Sequence, residues 1–307
     1  MQGVMKARAE VAMVVNRATD APKPRHLQVM GERIPVILKN PVDHKLGDYA
    51  RENLRLQAEF AIPMCVTKTL ALCGAGPSLR RAKIEGADEV WACNSALPWM
   101  VKEGRRVDVG IGMDQTPALL REWSDPPDVT YYVASTCDPE LVRHLKAHGR
   151  RVLFFHNAVG FEGEIEHYQT WPPGYILGHG ATVVSRTVGL AGWLGFHRVD
   201  LYGVDCAFEG DVVHANGEDY TTAYGNPLLL EAEIDGKVWR TRPDMLMDAV
   251  DIVRLAREKN GLIRFQDGTL PAALFGKDDA FLDTVSRRLA PGESPEPITT
   301  GAIADNG

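Results

Sequence analysis

Positive charge is in short supply. The chain sets 34 Lys and Arg against 41 Asp and Glu, a formal net charge of −7, with an isoelectric point near 5.7. Proteins that grip nucleic acid through its phosphates carry a basic footprint, so this balance argues against a general nucleic-acid surface. Any anionic ligand is expected to be held locally, by backbone N–H groups and helix N-termini that need no net positive charge. Cysteine is scarce and odd in number: Cys65, Cys73, Cys93, Cys137 and Cys206. Three of them lie in apolar, strand-like runs, which reads as reduced thiols of a cytoplasmic core rather than a disulfide framework. No Cys-x-x-Cys pair or His/Cys cluster has zinc spacing, which argues against a structural zinc site. No apolar run reaches 18 residues, and the N-terminus lacks the basic, apolar, small-residue order of a secretory signal. The reading is neither membrane-spanning nor secreted.

Apolar residues are sufficient for a sizeable core, at 45% of 307 residues. Short runs at residues 67–73, 89–93, 107–112, 129–134, 151–156, 198–204 and 262–265 alternate with helical patterns such as 141–148 and 182–194. Runs of four to seven residues rich in Val, Leu, Ile and aromatics are how strands buried on both faces of a parallel sheet are written. The expected fold is therefore α/β, a doubly wound, mostly parallel, Rossmann-like sheet. Asp235-Gly236, flanked by Ile234 and Val238, adds an inserted β-hairpin near the site-bearing edge. Residues 1–63 show little periodicity beyond a possible helix at 48–60. They read as an appendage: a small cap, an oligomerisation arm or a partly disordered segment. Residues 64–285 form the expected Rossmann-like domain, and 286–307, rich in Pro, Glu, Gly and Ser, a disordered tail.

Polar residues recur at the ends of the apolar runs, where open α/β sheets collect ligands. The strongest case is Cys73-Gly74-Ala75-Gly76-Pro77-Ser78-Leu79, a strand entering a glycine turn and then the first turn of a helix. Unpaired N–H groups there would face a phosphate. It is not a P-loop, because no Gly-Lys-Ser/Thr follows. Gly178-His179-Gly180-Ala181-Thr182 precedes the 182–194 helix and makes a second anion-ready N-terminus, with His179 placed to touch phosphate or move a proton. Asn94-Ser95, Asp114 and the Gly203-Val204-Asp205 end complete the set; a carboxylate so placed can hold Mg²⁺ or a ribose hydroxyl.

In this order, Gly74-Ala75-Gly76-Pro77-Ser78-Leu79, Asn94-Ser95-Ala96, Asp114, residues 178–182, Leu194-Gly195 and Leu201-Tyr202-Gly203-Val204-Asp205 resemble the archaeal-type 6-hydroxymethylpterin diphosphokinases, the MptE-like family. The likeness continues through Gly236-Lys237-Val238, Thr241 and a helix at 243–259, covering about residues 66 to 270. It implies ATP- and Mg²⁺-dependent transfer of diphosphate to a hydroxymethyl group of a small-molecule acceptor. On that resemblance Gly74, Ala75, Gly76, Pro77 and Ser78 cradle phosphates, with Asn94 and Ser95 beside them. Gly178, Gly180, Ala181 and Thr182 hold a second phosphate group, and Asp114 and Asp205, with His179, serve metal, ribose or catalysis.

The same glycine turn and Gly-x-Asp strand end also look like bacterial CMP-sialic acid-dependent sialyltransferases, for which His179 and His214 are the candidate bases. A third class is a nucleotide-binding module without catalysis.

Overall fold

The computed structural model describes residues 45–56, 59–60, 67–123, 125–157, 182–219, 229–259, 261–266, 268–277 and 281, together with the backbone of strands at 25–29, 32–36, 176–177 and 286–288. In chain order the elements begin with β1 (Arg25–Val29), β2 (Glu32–Val36), α1 (Leu46–Arg55), β3 (Glu59–Phe60) and β4 (Thr69–Cys73). There follow a 3-10 helix at Pro77–Arg81, β5 (Glu89–Cys93), α2 (Ala96–Lys102), β6 (Val109–Gly112), α3 (Ala118–Glu122), β7 (Thr130–Ala134), α4 (Pro139–Ala147) and β8 (Val152–Asn157). The chain then passes through β9 (Ile176–Leu177), α5 (Val183–Leu194), β10 (Arg198–Tyr202), β11 (Leu230–Ile234), β12 (Lys237–Thr241), α6 (Pro243–Glu258), β13 (Ile263–Phe265), α7 (Leu270–Phe275) and β14 (Ser286–Arg288).

The main sheet runs β13-β10-β4-β5-β6-β7-β8-β3, with β9 on β8, and its strand pairs are parallel. Strands β4 to β8 step away from β4 on one side, and β10 and β13 step away on the other. Right-handed crossovers then place the helices before and after this reversal on opposite faces, which defines the doubly wound fold. Every residue of β4, β6 and β8 is buried, as expected of strands covered on both faces. Trp91 on β5 packs edge-on against Tyr132 and Phe196, with ring centroids 5.1 and 5.2 Å away.

The expected hairpin is present. Asp235 and Gly236 have φ of 53° and 75°, the left-handed pair that a two-residue turn between β11 and β12 requires. Leu230, Ala232, Ile234 and Trp239 face Leu246, Ala249 and Val253 of α6 and Leu270 and Leu274 of α7, a second and smaller core. The hairpin reaches the main sheet just past β10, where the Thr241 hydroxyl donates to Cys206 O at 2.6 Å and Phe208 N–H to Arg240 O at 2.8 Å.

Two elements cross the expected boundaries. Within residues 1–63, β3 is an edge strand on β8, and α1 buries Leu46, Ala50 and Asn53. Asn53 Nδ2 donates to the carbonyls of Ser135 and Cys137, both at 2.9 Å, so α1 is pinned to the carboxyl end of β7. The tail expected from 286 begins instead with β14, which pairs antiparallel with β11. Among the described residues no helix is long and apolar enough to cross a membrane.

Candidate functional site

Strand order reverses between β4 and β10, and the segments leaving their carboxyl ends are tied to each other. Gly74 N–H donates to Tyr202 O and Gly76 N–H to Gly203 O, both at 2.8 Å, while Ser78 N–H and Oγ donate to Asp205 Oδ2 at 3.1 and 2.9 Å. The expectation of unpaired N–H groups at Gly74, Gly76 and Ser78 is thus overturned: the donors are spent on the neighbouring strand end. Gly76 is needed for the same reason, since a Cβ there would lie 2.8 Å from Gly203 O and collide with the Asp205 carboxylate. Pro77 and Ser78 start a 3-10 rather than an α-helix, and Asp205 caps it. Burial pushes the Asp205 carboxyl above its ordinary value, against the opposing pull of the Ser78 hydrogen bonds and Arg81.

Beside this turn lies a cavity of about 1290 Å³, lined by Arg80, Ser95, Trp99, Lys102, Arg105, Asp114 and the 214–218 loop among others. Its walls come from the segments after β4, β5, β6 and β10, so four carboxyl ends converge on one space. Charges of both signs line it, the cations Arg80, Lys102 and Arg105 beside the carboxylates Glu103, Asp114, Glu122 and Glu218, and the cations are a feature the sequence reading missed. The signal was there, in basic residues following the first two strands of the domain: Arg80 after the glycine turn, Lys102 in the last turn of α2 and Arg105 just beyond. Arg105 donates to the carbonyls of Leu79, Ala82 and Arg80 at 2.9–3.1 Å and sits 4.8 Å above the Trp99 ring. It closes the end of the 3-10 helix with its charge beside the cavity.

Of the predicted residues, Ser95 and Asp114 line the cavity. Asp114 Oδ1 accepts the Thr116 N–H at 2.8 Å, and Oδ2 accepts no hydrogen bond among the described residues, as a cation ligand requires. Asp205 is tied to the start of the 3-10 helix, its Oδ2 accepting twice from Ser78. Asn94 holds the turn itself: at φ 42° its N–H donates to Ile111 O, its carbonyl accepts Trp123 Nε1 at 3.0 Å, and its Oδ1 accepts the Met113 N–H at 3.4 Å. Thr182 caps α5, accepting the Ser185 N–H at 3.3 Å in a reciprocal capping box. Gly178, His179, Gly180 and Ala181 lie outside the described residues.

The sequence reading also missed a second group of polar residues, at the ends of β7 and β8. Ser135 Oγ and His156 Nδ1 meet at 2.8 Å, and Thr136 and Asn157 are buried beside them in sequence. Among the described residues the one trio with metal-ligand side chains is Asp125, His144 and His148, near the C-terminal end of α4. His148 Nδ1 donates to His144 O at 2.8 Å, and Arg150 Nε lies 3.5 Å from Asp125 Oδ2, which makes the trio part of an ion-pair cluster. The thiols are held out of chemistry by burial, which pushes Cys93 up to about 12 and raises Cys73, Cys137 and Cys206 as well.

A doubly wound sheet with a polar cavity over its switch point defines a ligand-binding α/β protein of the Rossmann type. Its sequence narrows this further: the family described as 6-hydroxymethylpterin diphosphokinase MptE-like matches residues 46–211, more than half of the chain, and the chain belongs to that family. The match begins at the first residue of α1. No curated protein matches the sequence. Among solved structures, the MAf glycosyltransferase from Magnetospirillum magneticum AMB-1 is similar at 16% identity and a TM-score of 0.51, over 80% of this chain and 42% of that one. This chain therefore spans less than half the length of that relative. The monofunctional alpha-2,3-sialyltransferase Cst-I from Campylobacter jejuni is similar at 13% identity and a TM-score of 0.39, over 81% of this chain and 94% of that one. At such identities the likeness is one of fold.

Proposed function

We propose that this chain is a nucleotide-dependent transferase that moves diphosphate from ATP to the hydroxymethyl group of a small acceptor. The observation that carries the proposal is the convergence of the segments after β4, β5, β6 and β10 on one cavity, whose wall sets Arg80, Lys102 and Arg105 beside the carboxylates Glu103, Asp114, Glu122 and Glu218. Cations set beside carboxylates suit a polyphosphate bound together with a divalent metal ion, and the half-buried Trp99 offers a flat wall to a base or a pterin ring. Diphosphoryl transfer asks a protein for positioning and charge neutralisation more than for a nucleophilic side chain, and the cavity supplies both. Asp114 is the residue that would hold Mg²⁺, whose part when bound is to neutralise charge on the phosphates.

The test is product release. With ATP, Mg²⁺ and a 6-hydroxymethylpterin acceptor, AMP should appear in step with the diphosphorylated acceptor, and leaving out the acceptor should stop it. CMP released from CMP-sialic acid, with no AMP from ATP, would replace this reading with glycosyl transfer. Nucleotide binding without product from either donor would leave a binding module.

A further inference from the structure

Helix α2 ends on a carboxylate, where helix ends favour a cation. Its last turn is closed by Gly104 at φ 65°, with the Gly104 N–H donating to Val101 O at 3.0 Å and the Arg105 N–H to Met100 O at 2.9 Å. Glu103 is the cap residue inside this closure, and its own N–H donates to Trp99 O at 3.0 Å, so its backbone is fixed. The partial negative charge at a helix C-terminus disfavours a carboxylate, and among the described residues the Glu103 side chain joins no ion pair or hydrogen bond that would offset this. A local rule broken without a structural return marks a residue kept for function. Trp99 lies four residues earlier, which puts both side chains on one side of α2, and both line the cavity. Ala96, Leu97 and Met100 hold the helix to the core. The Arg105 guanidinium covers one face of the Trp99 indole at 4.8 Å and is kept there by the carbonyls of Leu79, Arg80 and Ala82. A ligand ring that stacks on Trp99 takes the other face.

We infer that Trp99 and Glu103 form the acceptor subsite and that Glu103 sets its specificity; the inference rests on the reading of the cavity as a transferase site. A carboxylate only accepts, and its two oxygens match two N–H donors set side by side, the fork that makes guanidinium–carboxylate pairs strong. A flat ring that turns such an edge to Glu103 while stacking on Trp99 is a 2-amino-4-oxopyrimidine, whose ring N–H and 2-amino group point the same way. A 6-hydroxymethylpterin carries that edge at one end and its hydroxymethyl group at the other, so holding the edge leaves the reacting oxygen open to the phosphates. Adenine sets a donor beside an acceptor instead, so the same carboxylate keeps ATP from filling the acceptor's place.

The experiment titrates the full chain by calorimetry with 6-hydroxymethylpterin and with 6-hydroxymethyllumazine, which carries an oxygen in place of the 2-amino group. Mg²⁺ and α,β-methylene-ATP, whose α–β bridge cannot be cleaved, are present throughout, and AMP formation from ATP is followed separately. Glu103→Gln should weaken pterin binding by about 10- to 100-fold, the worth of hydrogen bonds to a charged group, and leave the ATP Kd within about threefold. Its amide offers one donor and one acceptor, which suits the lumazine edge, so the wild-type preference for pterin over lumazine should shrink or reverse. Taking a carboxylate off the helix end should leave the ligand-free melting temperature equal to wild type or higher, which separates the loss from one of folding. Trp99→Leu should weaken pterin and lumazine together. A wild type that binds no pterin, a pterin Kd that Glu103→Gln leaves unchanged, or an equal loss of pterin and lumazine in that variant would overturn the assignment of Glu103. Guanine has the same donor edge, so GTP affinity that falls in Glu103→Gln while pterin affinity does not would give the subsite to a nucleotide base and overturn its assignment to the acceptor. AMP formed with a pterin affinity indifferent to Glu103 would sink this inference alone, whereas pterin held through Glu103 with no AMP formed would sink the transferase reading and leave the subsite standing.

Discussion

Asp205 is a carboxylate at a strand end, and its environment gives it two opposed demands. Ser78 donates to it twice, which favours the charged form, and burial disfavours that form; burial is the larger effect and the carboxyl is held above its ordinary value of 3.8. The folded chain therefore binds this proton more tightly than the unfolded chain does. Stability from this group rises as pH falls through the raised folded value and levels off below 3.8, the opposite of a salt-bridged carboxylate. Asp205→Asn keeps a side-chain oxygen for Ser78 and removes the titration, so its stability at pH 7 should stay within about 1 kcal/mol of wild type. Urea unfolding from pH 7 down to pH 4 should then show the wild type gaining on the variant as the medium acidifies. A wild type that loses ground to Asp205→Asn over this range would mean that the hydrogen bonds outweigh burial and that the carboxyl sits low.

Among the elements, α1 separates what the sequence makes legible from what it hides. Strands β4 to β8 could be read because each is a largely apolar run, the form a strand buried on both faces takes, whereas β3 and β9, two residues each, could not. The Asp235-Gly236 turn was legible for a similar reason, since a left-handed pair of residues selects its chemistry locally. Helix α1 was visible as a periodic segment at 48–60, but its membership of the core depends on Asn53 reaching carbonyls 82 and 84 residues away, and nothing local encodes such a partner. β14 was hidden in the same way: three residues, Ser286–Arg288, become a strand because β11 offers an edge. The glycine turn was found but its donors were misassigned, because local sequence does not say whether an N–H meets a phosphate or the carbonyl of β10. Asn53→Ala tests the place of α1. It leaves the carbonyls of Ser135 and Cys137 without their donors in a buried setting, which should cost about 1–3 kcal/mol in the midpoint of chemical denaturation. A cost within experimental error would return α1 to the status of an appendage.

For the whole molecule the deciding quantity is the charge at the cavity wall, where Arg80, Lys102 and Arg105 stand among Glu103, Asp114, Glu122 and Glu218 in a chain of net charge −7. Distant acidic groups act on a ligand through solvent, where salt screens them within about 10 Å at 0.1 M. Groups at the cavity wall act at contact range, so a polyphosphate answers to where it sits among these cations and carboxylates before it answers to the net charge. Arg80 and Arg105 have donors committed to backbone carbonyls, which fixes their charge in place but leaves fewer N–H groups for a ligand. Lys102 is exposed at the end of α2 and forms no ion pair among the described residues, which makes it the cation most available to a phosphate. Lys102→Glu changes the local charge by two. At a separation of about 4 Å each unit charge is worth about 1 kcal/mol in water, so the reversal, about 2 kcal/mol, should weaken ATP binding by about 30-fold at low salt. The deficit should shrink toward about 1 M salt, where the screening length falls to about 3 Å, and the variant's melting temperature without ligand should match wild type. Calorimetric titration of ATP at two salt concentrations checks both statements. An affinity for ATP that Lys102→Glu leaves unchanged would place the phosphates away from this wall, and with them the donor half of the proposed reaction.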